Sequence, residues 1–146
     1  MNRRDVLAQM TASAGVALTS MLGLPALAQR SRSSRLVIVG GAEDRLQDRI
    51  ILRKYVEYCG GSAAKIRIIT AASGDPEGVW QSYREAFHAL GVRDVERLAI
   101  DDRESAQAPA VQAEILQADG IFMSGGDQSK LMAILWDSLA YQSLHQ

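Results

Sequence analysis

The sequence predicts an α/β protein in which a mostly parallel sheet is covered by helices on both faces, a three-layer α/β/α arrangement. Three observations carry that prediction. Four short apolar runs, at 35–39, 65–70, 95–100 and 120–123, have the length and β-branched content of buried strands. The stretches between them repeat apolar residues at helical spacing. Three of the runs end in turns of small residues, the usual exit from a strand into a helix.

The elements follow in order. Arg35 to Val39 (RLVIV) reads as a strand closed by Gly40 and Gly41. Asp48 to Tyr58 reads as a helix with Ile50, Ile51, Leu52, Tyr55 and Val56 apolar, stopped by Gly60 and Gly61. Lys65 to Thr70 (KIRIIT) is a second strand, and Ala71 to Pro76 its exit loop. A helix over Glu77 to Leu90 places Val79, Trp80, Tyr83, Ala86, Phe87 and Leu90 on one face, with Gly91 as cap. Val95 to Ile100 is a third strand, Asp101 to Ala108 a polar connection, and Ala110 to Leu116 a short helix. Gly120 to Met123 (GIFM) is a fourth strand, leading through Ser124 to Gln128 into a last helix that carries Leu131, Ile134, Leu135 and Leu139.

Residues 1–28 read as an address rather than as fold. Arg3 and Arg4 precede an uncharged, modestly apolar run, Ala12 to Leu24, and Ala26-Leu27-Ala28 has the small residues a signal peptidase needs. The paired arginines favour a twin-arginine signal and hence export to the periplasm or beyond. Gln29 to Ser34 is a basic, serine-rich linker, and 35–146 forms the folded part. No stable membrane association is expected once the signal is removed, because the apolar run is too short for a comfortable span.

Composition narrows the function. Among 146 residues, 47% are hydrophobic and 23% charged, and the net charge of −1 offers no basic footprint for nucleic acid. The single cysteine, Cys59, reads as a small buried hydrophobe. His88 and His145 fall in helical stretches without ligand-like spacing, so neither a metal nor any other cofactor is expected.

Right-handed crossovers bring the strand-to-helix turns to one rim of the sheet, where ligands of such folds bind. Gly40 to Asp44 has the place of a dinucleotide fingerprint, but Ala42 and Arg45 stand where its second and third glycines belong, and Glu43 and Asp44 would repel a pyrophosphate. It reads equally well as a tight turn with an acidic helix start. The turn Ser124-Gly125-Gly126-Asp127-Gln128 is more informative. Paired glycines let backbone N–H groups face a ligand and stabilise an oxyanion, while Gln128 offers a neutral donor and acceptor; a plain strand-to-helix turn would look the same. No G-x-S-x-G nucleophile elbow occurs in the chain.

Together, Leu36 to Asp44 (LVIVGGAED), Thr70 to Ser73 (TAAS), Tyr83 to Gly91 (YREAFHALG) and Ala118 to Gln128 (ADGIFMSGGDQ) resemble the cyanophycinases, a family that also holds the aspartyl dipeptidases of the dipeptidase E type. The resemblance implies a fold related to class I glutamine amidotransferases, represented here by an incomplete, N-terminal part. It implies a serine peptidase whose nucleophile elbow, histidine and acid lie beyond the last helix. It makes Gly125 and Gly126 part of the oxyanion hole and Gln128 a substrate-pocket residue. The implied substrate is cyanophycin, a polyaspartate bearing arginines, cleaved to β-Asp-Arg dipeptides; an aspartyl dipeptidase or a non-catalytic binding module are the alternatives. Self-association is left open. Replacing Gly126 by Val is expected to lower turnover more than stability.

Overall fold

The computed structural model describes residues 34–146; the expected signal 1–28 and all of the linker except Ser34 lie outside the described residues. The sheet has three parallel strands, β1 (Lys65–Ile69), β2 (Asp94–Leu98) and β3 (Gly120–Met123), in the order β2-β1-β3. β1 is central. Ile66 lies opposite Val95 on one side and Gly120 on the other, and Ile69 lies opposite Leu98 and Met123.

Helices cover both faces, and the alternation of side chains along β1 decides which residues meet which helices. Ile66 and Ile68 join Phe122 and Val95 under α1 (Ile50–Cys59) and α2 (Pro76–Ala89), through Leu52, Val56, Tyr83 and Phe87. Ile69 turns to the other face, where Ile115 of α3 (Pro109–Gln117), Ile134 and Leu135 of α4 (Gln128–Leu135) and Ala140 of α5 (Leu139–Leu144) complete a second core. Phe87 is fully buried against Tyr55 and Phe122, at centroid distances of 6.0 and 5.6 Å, and truncating such a ring to Ala costs about 3–5 kcal/mol. Arg67 shares the second face. It is 7% exposed and bonds Asp94 at 2.7 Å and Glu114 at 2.8 Å, tying β1 to β2 and α3.

Local chemistry sets the helix ends. Asp75 caps α2 by accepting the N–H of Gly78 at 3.0 Å, with Pro76 at the first helical position where its missing N–H is harmless. Gly60, at φ 111°, ends α1 in a left-handed conformation that a side chain would resist.

Two expectations are corrected. Arg35 to Val39 forms no strand, so the sheet has three strands rather than four, and Leu36 and Ile38 are each 86% exposed. An apolar run favours extended backbone, but a strand also needs ladder bonds to a neighbour, and this segment makes none with the open outer edge of either β2 or β3. The segment instead lies beside β3 without pairing to it; Leu36, Val37 and Val39 share a pocket lining with Ile121, Phe122 and Met123. The last helix is also two helices. Asp137 takes a positive φ of 56°, and the Ser138 hydroxyl accepts the N–H of Tyr141 to start α5 afresh.

Candidate functional site

The carboxyl ends of β1 and β3 lie side by side, and the chain that leaves each of them meets the other. Ser124 N–H donates to the Ile69 carbonyl at 2.9 Å, and Asp127 N–H to the Ala72 carbonyl at 2.8 Å. The Lys130 ammonium adds a bond to the Ser73 carbonyl at 2.8 Å. Between these anchors the backbones are so close that a Cβ on Gly126 would sit 2.1 Å from the Ala72 oxygen and 2.9 Å from the Ser73 nitrogen, at a φ of 149°. Glycine is required there by contact between backbones. Gly126→Val, expected to lower turnover more than stability, therefore carries a stability cost as well, since the obstacle is main chain and cannot rotate away. Gly125 differs: a Cβ there meets nothing within 4 Å.

Among the described residues, nothing accepts a hydrogen bond from the N–H of Gly125 or of Gly126, and both residues are exposed. Asp127 caps α4 with its carboxylate, which accepts from Ser129 N–H at 2.8 Å and Lys130 N–H at 3.2 Å. The glycine donors are thus held between two fixed points, the Ser124–Ile69 bond and the capped helix.

Beside this turn lies a pocket of about 460 Å³, between the 36–45 segment and β3, lined by Glu43, Arg45, Tyr83, Phe122, Ser124 and Gly125 among others. The Glu43 side chain is only 8% exposed; it accepts the Tyr83 hydroxyl, and the nearest Arg45 nitrogen is 3.7 Å away. Arg45 lies over the Tyr83 ring at 5.1 Å. Burial, and then the bond to Glu43, push the Tyr83 phenol well above its ordinary range, so it stays protonated and donating. The Ser124 hydroxyl is buried and, among the described residues, has no hydrogen-bond partner. Asp44, next in sequence to Glu43, is exposed and holds the loop. Its carboxylate accepts from the N–H groups of Leu46, Gln47 and Arg49 at 2.8–2.9 Å, which brings its pKa down from 3.8 to about 2.

Of the residues singled out from sequence, Gly125 borders both the turn and the pocket, and Gly126 packs on the Ala71–Ser73 exit of β1. Gln128 opens α4 as an exposed residue outside the pocket lining. Gly40 to Asp44 and Ser124 to Gln128 meet at the pocket, through Gly41, Ala42 and Glu43 on one side and Ser124 and Gly125 on the other. His88 is exposed in the last turn of α2, and His145 packs edge-on to Tyr141 at 4.5 Å, so neither reaches Ser73 or Ser124. Cys59 is half-buried beside Tyr55, and burial raises its thiol pKa. Sequence reasoning missed the bond between Glu43 and Tyr83 and the place of Ser124 in the same pocket lining. The only available signal was an acidic residue in a turn with no phosphate to bind.

A parallel sheet covered by helices on both faces is a layered α/β/α arrangement, and comparison with known proteins gives its class. The profile of Peptidase family S51 matches residues 36–146, and the chain belongs to that family. It is 40% identical over 120 residues to a cyanophycinase of Synechococcus elongatus, covering 81% of this chain and 37% of that protein. Cyanophycinases of Trichormus variabilis and Geminocystis herdmanii are 33% and 36% identical over 117 and 118 residues, with 80% and 81% of this chain and 39% and 43% of theirs covered. The chain thus spans roughly two fifths of the length of these relatives. Among solved structures, a peptidase from an acI-B1 Actinobacterium superposes with a TM-score of 0.56 at 25% identity, over 66% of this chain and 42% of that one.

Proposed function

We propose that residues 34–146 form the oxyanion-binding rim of an exported serine peptidase that hydrolyses cyanophycin to β-Asp-Arg dipeptides, with a layered sheet of the class I glutamine amidotransferase kind. One observation carries the assignment within the family: the two N–H groups at Gly125 and Gly126, exposed and without an acceptor among the described residues, lie at the carboxyl edge of a parallel sheet. Donors left open in this way are available to a carbonyl oxygen as it gains charge. Gln128, one turn along at the start of α4, contacts the substrate. The serine nucleophile and its histidine have no counterpart among the described residues, because Ser73 and Ser124 are buried and both histidines lie elsewhere. This stretch therefore contributes donors and substrate contacts, and the 146-residue chain by itself releases no dipeptide.

The test is dipeptide release from purified cyanophycin by the full translation product of the gene, followed by mass spectrometry. β-Asp-Arg as the main product supports the proposal. Cleavage of small aspartyl dipeptides with the polymer left intact would replace it by the dipeptidase reading. Export is tested separately by Arg3→Lys with Arg4→Lys, which should retain the protein in the cytoplasm; unchanged export would point to the general secretory route.

A further inference from the structure

We infer that Lys130 is a positioning residue for the reaction: its ammonium, seated on the Ser73 carbonyl, fixes the direction in which the Gly125 and Gly126 N–H groups point. The inference rests on the peptidase reading above and assigns a residue that acts through the turn rather than on the substrate.

The first argument is what the turn cannot do for itself. Glycine backbone is conformationally soft, so two glycines in succession hold their own N–H groups only loosely. An oxyanion donor works when it is aimed in advance, to within about 0.5 Å and 10–20° of the productive position. The aim must come from ties outside the glycines. The Ser124 bond to Ile69 fixes the strand side, and the Asp127 N–H bond to the Ala72 carbonyl, at 2.8 Å, is a tie on the helix side. A single hydrogen bond still lets the helix side swing about it, and a second bond set apart from the first removes that freedom. Lys130 supplies the second, because its ammonium donates to the next carbonyl along, that of Ser73, at 2.8 Å.

The second argument is where the charge stands and what it holds. Lys130 lies in the first turn of α4, where a cation opposes the helix dipole. Among the described residues no carboxylate pairs with it, and the Ser73 carbonyl is the one acceptor its ammonium reaches. A lysine kept only for solubility would extend into water, whereas this one bonds a residue 57 positions earlier in the chain. The anchor is rigid. Ser73 is buried, its N–H donates to the Thr70 carbonyl at 2.9 Å, and its hydroxyl accepts the N–H of Asp75, the cap of α2, at 3.0 Å. Gly126 packs on the other end of the same residue, since a Cβ there would lie 2.9 Å from the Ser73 nitrogen. Lys130 and Gly126 thus meet Ser73 at its two ends, and a shift at the carbonyl is passed to the glycine peptides. Gly125 has open space where a Cβ would be, so its N–H depends most on these ties.

The experiment compares the full translation product of the gene with its Lys130→Met, Lys130→Gln and Lys130→Arg variants in steady-state dipeptide release from cyanophycin, alongside their thermal midpoints. Lys130→Met keeps the stem and removes the donor. It should lower kcat about ten- to a hundredfold, with KM and midpoint nearly unchanged, as a small misplacement of catalytic groups does. Lys130→Gln should behave alike and decides the matter if Lys130→Met fails to fold. Lys130→Arg, which keeps a charged donor for the Ser73 carbonyl, should recover most of the rate. An unchanged kcat, a rise in KM alone, a rate that falls only in step with the midpoint, or a loss that arginine does not rescue would overturn the inference. Amide NMR relaxation of the same proteins should show Gly125 and Gly126 loosened in Lys130→Met while β3 stays ordered. The two readings fail separately. Loosened glycines in a product that cleaves no cyanophycin remove only the peptidase proposal, and cleavage with glycines equally ordered in Lys130→Met removes only the role of Lys130.

Discussion

Replacing Gly126 by Ala tests whether the Ser124–Gln128 turn is held by backbone contact. The added Cβ would lie 2.1 Å from the Ala72 oxygen and 2.5 Å from its carbonyl carbon. To relieve this the two turns must separate, and the first bond lost is Asp127 N–H to the Ala72 carbonyl, now 2.8 Å. Losing that bond costs about 0.5–1.5 kcal/mol. Holding a residue with a side chain at φ 149° adds about 1–3 kcal/mol. The sum, about 1.5–4.5 kcal/mol, lowers the melting temperature of a domain this size by on the order of 10 °C. Gly125→Ala is the matched control, because nothing lies within 4 Å of its Cβ and its φ is not positive; it should change stability by less than about 0.5 kcal/mol. Thermal and urea denaturation of both variants, followed by circular dichroism, make the comparison. Equal melting temperatures for Gly126→Ala and wild type would refute the packing argument, as would a Gly125→Ala variant equally destabilised.

Three further outcomes are expected. Asp127→Ala removes the acceptor of the Ser129 and Lys130 N–H groups and should cost about 1 kcal/mol in urea denaturation, most of it recovered in Asp127→Asn; equal losses in both would show that the cap is not what matters. The Asp44 carboxyl, lowered from 3.8 to about 2 by N–H donors of Gln47, Arg49 and Leu46, favours the folded loop fully above about pH 4 and loses that effect as pH falls through about 2. A carboxyl NMR titration should accordingly place its midpoint near 2, and a midpoint near 3.8 would mean that the loop bonds are absent in solution. Arg67→Ala should destabilise by about 1–3 kcal/mol, short of a fully buried pair, because Asp94 and Glu114 are 40% and 44% exposed and can rehydrate; Arg67→Met should lose less, and equal loss would contradict the packing role of the stem.

The layered core was legible because burial leaves a local mark. The run at 120–123 is apolar and that at 65–69 is buried from Ile66 to Ile69 since both faces of the sheet are covered, and Asp75-Pro76 and Gly60 mark helix ends through their own side chains or lack of one. Arg35 to Val39 is similarly apolar yet pairs with no strand, and pairing is a non-local fact that composition does not carry. The break before α5 was hidden because Leu131, Leu135 and Leu139 keep helical spacing across it; only the positive φ at Asp137 and the Ser138 cap reveal the new start. The glycine turn could be read from its residues, whereas the bond between Glu43 and Tyr83 joins positions 40 apart and no pattern in either neighbourhood announces it.

The central claim is that the Gly125 and Gly126 N–H groups receive the negative charge that develops on the scissile carbonyl. It is tested most directly by replacing the Ser124–Gly125 amide with an ester in the full translation product, which deletes one N–H and adds no side chain. The account predicts that kcat on cyanophycin falls roughly a hundred- to a thousandfold, with KM and melting temperature nearly unchanged. An ester variant that keeps the wild-type kcat would contradict it and place the oxyanion donors elsewhere.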